Sequence, residues 1–264
     1  MNKICIWVIL LGLCPLLSLP GIGILSAQAN NMQVMTYMSG EFAGSEFGES
    51  ISSLDFNGDG YKDLVVSSGT WNPTQVFDDQ NRWGKLYFYW GGPGFDNIAD
   101  FEIPGAYNWQ MGPYANIYNA GDMNGDGIED LIMVQRSASY DGMVAVYFGR
   151  TIPQATPDVV LTYPGVQFLL IYPLGDINGD GNSDICICKV FNWQQEFEIY
   201  SDVTTSPFLF FATNNVNQYT RLCGIGDVNS DGFDDCILNT QANPTGTDHN
   251  RIVLYYGSAT FPIA

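Results

Sequence analysis

Basic residues are scarce in this chain: nine Lys and Arg stand against 28 Asp and Glu, a formal charge of −19 over 264 residues. A surface of that sign repels phosphate backbones and anionic membranes, so no nucleic acid and no membrane surface is expected as a partner. Histidine is scarcer still. His249 stands alone in the polar stretch from Thr240 to Asn250, so a histidine triad or histidine metal centre would hang on one loop residue. A solvated loop side chain is the plainer reading. Nucleophile elbows, P-loops and dinucleotide fingerprints are absent. With so few bases and cationic stabilisers, no enzyme is expected. Cysteine decides little: Cys5 and Cys14 lie near the N-terminus, and Cys186, Cys188, Cys223 and Cys236 remain. Cys186 and Cys188 are two apart in an apolar run, hence on one side of a strand and unsuited to pairing with each other. A bridge from either to Cys223 or Cys236 fits the spacing, and so do free buried thiols; no disulfide is expected.

The N-terminus carries Lys3, an apolar stretch from Ile4 to Leu25 interrupted by Pro15, Pro20, Gly21 and Gly23, and then Ala27-Gln-Ala29. This order predicts a signal peptide over 1–29 with cleavage before Asn30, in preference to a retained membrane anchor. The protein is then expected outside the cytoplasm, secreted, periplasmic or on the cell surface. Residues 30–264 have the length of one domain.

What the chain has in excess is aspartate in one arrangement. Four segments read D-x-N-x-D-G-x-x-D: Asp55-Phe-Asn57-Gly-Asp59-Gly-Tyr61-Lys-Asp63, Asp122-Met-Asn124-Gly-Asp126-Gly-Ile128-Glu-Asp130, Asp176-Ile-Asn178-Gly-Asp180-Gly-Asn182-Ser-Asp184 and Asp227-Val-Asn229-Ser-Asp231-Gly-Phe233-Asp-Asp235. Side-chain oxygens recur at positions 1, 3, 5 and 9, and Gly at position 6 lets the chain turn around a hard cation. An all-oxygen donor set favours calcium, with up to four ions in a structural role. The bidentate Glu that an EF-hand needs at position 12 is missing: Val66, Met133, Ile187 and Leu238 stand there. The Asp at position 9 is therefore the expected fourth side-chain ligand, and the backbone carbonyl of Tyr61, Ile128, Asn182 or Phe233 the fifth oxygen. Glu129 and Asp234, at position 8, are expected to face water. These loop aspartates make up twelve of the 28 acidic residues, so much of the acidity is a requirement of the loops. Without a cation, crowded carboxylates repel, which predicts instability of the metal-free chain.

The loops recur at intervals of 67, 54 and 51 residues, a period of repeated supersecondary units. Each leads into a short apolar run: Leu64-Val-Val, Leu131-Ile-Met-Val, Ile185-Cys-Ile-Cys and Cys236-Ile-Leu. An aromatic residue precedes each first Asp by eight: Phe47, Tyr114, Phe168 and Tyr219. Aromatic strands follow at Leu86–Gly91, Val144–Gly149, Phe197–Ser201 and Val253–Gly257, Trp90 among them as a core residue. Upstream, Val34–Met38, Phe101–Gly105, Leu161–Gly165 and Phe208–Ala212 each offer one more strand, giving four per repeat.

These residues resemble the FG-GAP repeats of the integrin alpha-subunit propeller and of many secreted bacterial proteins. The first copy, Gly44 to Val66, carries both the Phe47-Gly48 element and the loop; later copies have Ala115, Leu169 and Thr220 in place of that Gly and look like the looser, VCBS-type bacterial variant. The resemblance implies an all-β fold, a β-propeller of four-stranded blades, with calcium held at loop positions 1, 3, 5, 7 and 9. Blades are expected at about 30–97, 98–152, 153–205 and 206–264. Four repeats fit a small closed ring, an open arc completed by another chain, or a truncated product, and an incomplete propeller is preferred.

Function is then expected in the loops joining the strands. Trp71, Trp83, Trp109 and Trp193 sit there among Asn and Gln, a composition suited to stacking on sugar rings, although Trp equally fills gaps between blades. The leading expectation is a calcium-stabilised binding module for adhesion or recognition of a protein or glycan at the cell surface. The resemblance also admits an extracellular carbohydrate-active or phospholipase-like enzyme, and self-association that completes the propeller.

Overall fold

The computed structural model describes residues 36–75, 82–105, 109–110, 116–137, 141–166, 168–191, 194–204, 207, 209–213, 220–240 and 251–260. The expected signal peptide, His249 and Trp193 lie outside them. Among the described residues every regular element is a strand, and all strand pairs are antiparallel. β1 (Phe47–Leu54), β2 (Asp63–Ser68), β3 (Lys85–Tyr89) and β4 (Phe101–Pro104) form the first sheet in that order. The second holds β6 (Ile117–Gly121), β7 (Asp130–Ser137), β8 (Gly142–Tyr147) and β9 (Val159–Tyr163), with the short β5 (Trp109–Gln110) pairing at the far end of β7. The third is β10 (Phe168–Gly175), β11 (Asp184–Phe191), β12 (Gln194–Tyr200) and β13 (Leu209–Thr213); the fourth is β14 (Arg221–Gly226), β15 (Asp235–Thr240) and β16 (Arg251–Tyr255).

The sheets pack face to face in chain order, as blades of a partial β-propeller. Leu54, Val65, Leu86 and Phe88 of the first meet Leu131, Met133, Ala145 and Tyr147 of the second. The opposite face of the second, with Ile132, Val134, Val144 and Val146, meets Ile171, Ile185 and Ile187 of the third. Cys186, Cys188, Phe197 and Ile199 then pack on Leu222, Cys236 and Leu238 of the fourth. A strand covered on both faces needs apolar residues on both, which is why the runs after the loops do not alternate. The cysteines are free: Cys186, Cys188 and Cys236 are buried and Cys223 is exposed. Burial pushes the Cys188 thiol up to about 12 and that of Cys236 up to about 11.

Two expectations change. Phe101–Pro104, Val159–Tyr163 and Leu209–Thr213 close the sheet before them instead of opening the next, so the sheets run 47–104, 109–163, 168–213 and 221–255. The cause is local. Asp100 and Asp158 each accept the N–H just past the third strand (Trp90 at 2.8 Å, Phe148 at 2.9 Å) and donate their own N–H back to it, to Phe88 and Val146, both at 2.8 Å. These reciprocal bonds fold the fourth strand back onto the third. The second change is at the N-terminal side, where residues 36–38 of the expected first strand are not extended into any sheet. This segment instead covers the outer face of the first sheet, where Met38 joins Phe47 of β1 in packing on Val66, Tyr87 and Tyr89. Among the described residues, packed cores join the first sheet to the second, the second to the third and the third to the fourth, as in a partial propeller.

Candidate metal centres

The four loops have one geometry. In the first, Asp55 Oδ1 and Asn57 Oδ1 both accept the Asp59 N–H, at 3.1 and 2.9 Å, so these two oxygens lie side by side. Asp55 Oδ2 accepts from Gly60 N–H and Asp59 Oδ1 from Tyr61 N–H, each at 2.9 Å. The Asn57 amide donates to Asp59 Oδ2 at 3.1 Å. Asp122, Asn124 and Asp126 repeat the pattern with Gly127 and Ile128; Asp176, Asn178 and Asp180 with Gly181 and Asn182; Asp227, Asn229 and Asp231 with Gly232 and Phe233. Oxygens from positions 1, 3 and 5 are thus gathered by short-range bonds that the sequence spacing itself dictates.

Position 9 is placed differently. Asp63, Asp130, Asp184 and Asp235 are fully buried, and one oxygen of each accepts the N–H of position 2: Phe56 at 2.9 Å, Met123 at 2.7 Å, Ile177 at 2.8 Å and Val228 at 2.9 Å. The other oxygen of Asp63, Asp130 and Asp235 accepts from the Gly beyond the third strand, Gly91 at 2.8 Å, Gly149 at 2.8 Å and Gly257 at 2.9 Å. These carboxylates tie the start of the loop to the end of the third strand of its sheet. Burial drives Asp130 and Asp184 up to about 7 and Asp63 upward, their backbone hydrogen bonds opposing and the neighbouring loop carboxylates adding to the rise. Asp227, fully exposed, is held below the ordinary carboxylate value, chiefly by the Gly232 N–H.

The donor set suits a hard divalent cation: carboxylate, amide and carbonyl oxygens, with no basic side chain paired to a carboxylate of position 1, 5 or 9 among the described residues. Asp, Asn, Asp and the position-7 carbonyl would hold it, with the buried position-9 Asp behind them. A cation there would neutralise the loop carboxylates and favour the ionised form of position 9. Among the described residues no three His, Cys, Asp or Glu side chains form a metal-holding group by themselves.

Each of the first three loops is also clasped by the one after it. Glu129 Oε2 accepts the Asp55 N–H at 2.6 Å and pairs with Lys62, while its Oε1 accepts from Asn119 Nδ2 at 3.1 Å. Asp234 Oδ2 accepts the Asp176 N–H at 2.9 Å, and its own N–H donates to Asp176 O at 2.8 Å. Ser183 N–H donates to Asp122 O at 2.7 Å. Glu129 and Asp234, expected to face water, are therefore interface residues. Position 7 contributes its side chain as well. A Cβ on Gly58, Gly125 or Gly179 would come within 2.7 Å of Ile128, 2.5 Å of Asn182 or 2.4 Å of Phe233. Position 4 is Gly in the first three loops for this approach and for its φ of +73 to +74°. The fourth loop has Ser230 there, at φ +62°, and no described loop follows it. Gly in three copies and Ser in the last was the sequence signal of this stacking.

Of the tryptophans expected at ligand loops, Trp71 is only 9% exposed and donates its indole N–H to Glu41 Oε2 at 3.0 Å. Trp83 is half-buried, its backbone N–H bonded to Trp71 O at 2.9 Å. Trp109 lies in β5. Trp90 packs on the first core and stacks on Phe101, as expected of a core residue.

Residues 55–133, from the first loop to the strand after the second, match the family model described as FG-GAP-like repeat. Integrin alpha-4 of Xenopus laevis is 28% identical over 174 residues, covering 62% of this chain and 16% of that protein. Phosphatidylinositol-glycan-specific phospholipase D of Bos taurus is 30% identical over 168 residues, covering 57% and 19%. A solved exotype rhamnogalacturonan lyase, YesX, overlaps 72% of this chain and 38% of its own at 14% identity and a TM-score of 0.49. The segment 55–133 is FG-GAP-like, and the chain is similar to integrin alpha subunits over 62% of its length. The chain spans under a fifth of the length of these two curated relatives.

Proposed function

We propose that this chain is a calcium-stabilised propeller module that recognises a protein or glycan outside the cytoplasm. The observation carrying the reading is the fourfold loop geometry, in which oxygens of positions 1, 3 and 5 converge without a basic partner. Likeness to integrin alpha-4 supports a protein ligand and a cell-surface setting, and the surface outside the clasped loops is left for recognition. The likeness to a phospholipase D supports the same propeller in an enzyme's company, with no catalytic set assigned on this chain.

Thermal melting in EDTA and across a calcium titration tests the metal. Binding to the native state alone adds about 2.7 kcal/mol per independent site at a hundredfold excess over the dissociation constant. A melting temperature indifferent to calcium would sink the structural role of the ion. Binding of integrin-type protein ligands and of a glycan panel to the calcium-loaded chain then separates the two ligand classes.

A further inference from the structure

We infer that the position-8 carboxylates of the second and fourth loops, Glu129 and Asp234, are positioning residues for the cation sites of the loops before them, so that these sites are coupled from blade to blade. This rests on the calcium reading above. The first Asp of each loop supplies carboxylate oxygens to the loop centre, and the direction of that carboxylate follows from the backbone that carries it. In the first loop the N–H of this residue, Asp55, is held by Glu129 at 2.6 Å. Glu129 belongs to the second loop, adjoining Asp130, and is itself fixed by Asn119, whose amide also donates to Ser53 O at 3.0 Å. Ordering the second loop therefore orders the acceptor that orients the first.

The third and fourth loops repeat this through Asp234 and Asp176, with a second bond between the same two residues running in the opposite sense. Between the second and third loops the corresponding residue is Ser183, which bonds Asp122 through its backbone N–H. Carboxylate clasps thus join loops one to two and three to four, and a backbone bond joins the pairs. Lys62, the position-8 residue of the first loop, has no acceptor to offer a preceding loop and pairs with Glu129 instead. Partners one step removed from a metal change its affinity by about tenfold or more when lost.

Terbium luminescence sensitised by Tyr61, the position-7 residue of the first loop, reads that site; the signal lost in Tyr61→Phe is assigned to it. Glu129→Ala is expected to weaken terbium at the first loop about tenfold, and Glu129→Gln, which keeps an acceptor for the Asp55 N–H, to stay within about twofold of the parent. Asp126→Ala, a second-loop change in the otherwise unaltered chain, is expected to weaken the first site several-fold, and to add nothing in the Glu129→Ala background. First-loop affinity that ignores Asp126→Ala overturns the coupling, whether or not Glu129→Ala folds. Equal weakening by Glu129→Gln and Glu129→Ala overturns the positioning role. A parent chain that binds no terbium overturns the calcium reading itself, and the coupling with it.

Discussion

The outer faces of the first and fourth sheets are built from the same repeat and end in opposite conditions. On the first, Val66, Tyr87 and Tyr89 are covered by Met38, Phe47 and Ala99, and beside them Glu41 gathers four donors. Its Oε1 accepts from Lys85 at 2.6 Å and Tyr87 at 3.0 Å, its Oε2 from Trp71 at 3.0 Å and Gln75 at 2.8 Å. Lys85, nearly buried, also pairs with Glu102 at 2.7 Å and lies over the Trp71 and Tyr87 rings. On the fourth, Arg221, Cys223, Ile237, Asn239, Ile252 and Leu254 share a face by register, and Ile252 is 73% exposed. A propeller face is apolar whether or not a neighbour covers it, so repeat chemistry alone does not tell an interior blade from a terminal one. The covering segment does, because it brings in a carboxylate to meet the one ammonium on that face.

The largest effect on this contrast is expected from Glu41→Ala, which leaves the buried Lys85 with Glu102 alone and should cost about 2 kcal/mol in denaturant unfolding, less than a fully buried pair because solvent reaches Glu41. Its pH dependence sharpens the point. Burial pushes the Glu41 carboxyl up, and hydrogen bonds from Lys85, Trp71 and Tyr87 with the Lys85 charge outweigh it, holding the group at about 2 instead of 4.5. The folded value lies below the unfolded one, so this stability is fully present above the ordinary carboxylate range and is lost as pH falls toward 2. The parent should approach the variant in stability as pH drops through that window; a constant gap would refute the assignment. Next comes Gly179→Ala, expected to cost about 2 kcal/mol, because a left-handed Ala is strained and Phe233 stands 2.4 Å from the new Cβ. Ser230→Gly, the same position at the uncovered end, should stabilise by up to about 1 kcal/mol by relieving a left-handed Ser. Smallest of all, Ile252→Ser on the open face should change stability by no more than about 0.5 kcal/mol, whereas a loss of 2 kcal/mol or more would mean that this face is covered in solution.

Spacing made the loops and their following strands readable, since the bonds that gather the oxygens of positions 1, 3 and 5 and tie position 9 to position 2 span at most seven residues. Strand number per repeat was readable as well, and strand partnership was not: Phe101 can pair backward or forward on periodicity alone, and the Asp100 bonds to Phe88 and Trp90 decide it. Glu129 and Asp234 looked solvent-facing because their partners are 74 and 58 residues away. Trp71 looked like a ligand platform because its acceptor, Glu41, precedes it by thirty residues. Long-range polar contacts leave no local period to detect.

The clasp between successive loops gives the chain a direction in time. The Asp55 N–H has its acceptor only when Glu129 has been made, and the Asp176 N–H only when Asp234 has. During synthesis each blade therefore emerges with its own strands complete and its loop still open, and is finished by the next blade to arrive. Maturation of a clasped loop then runs one repeat behind elongation.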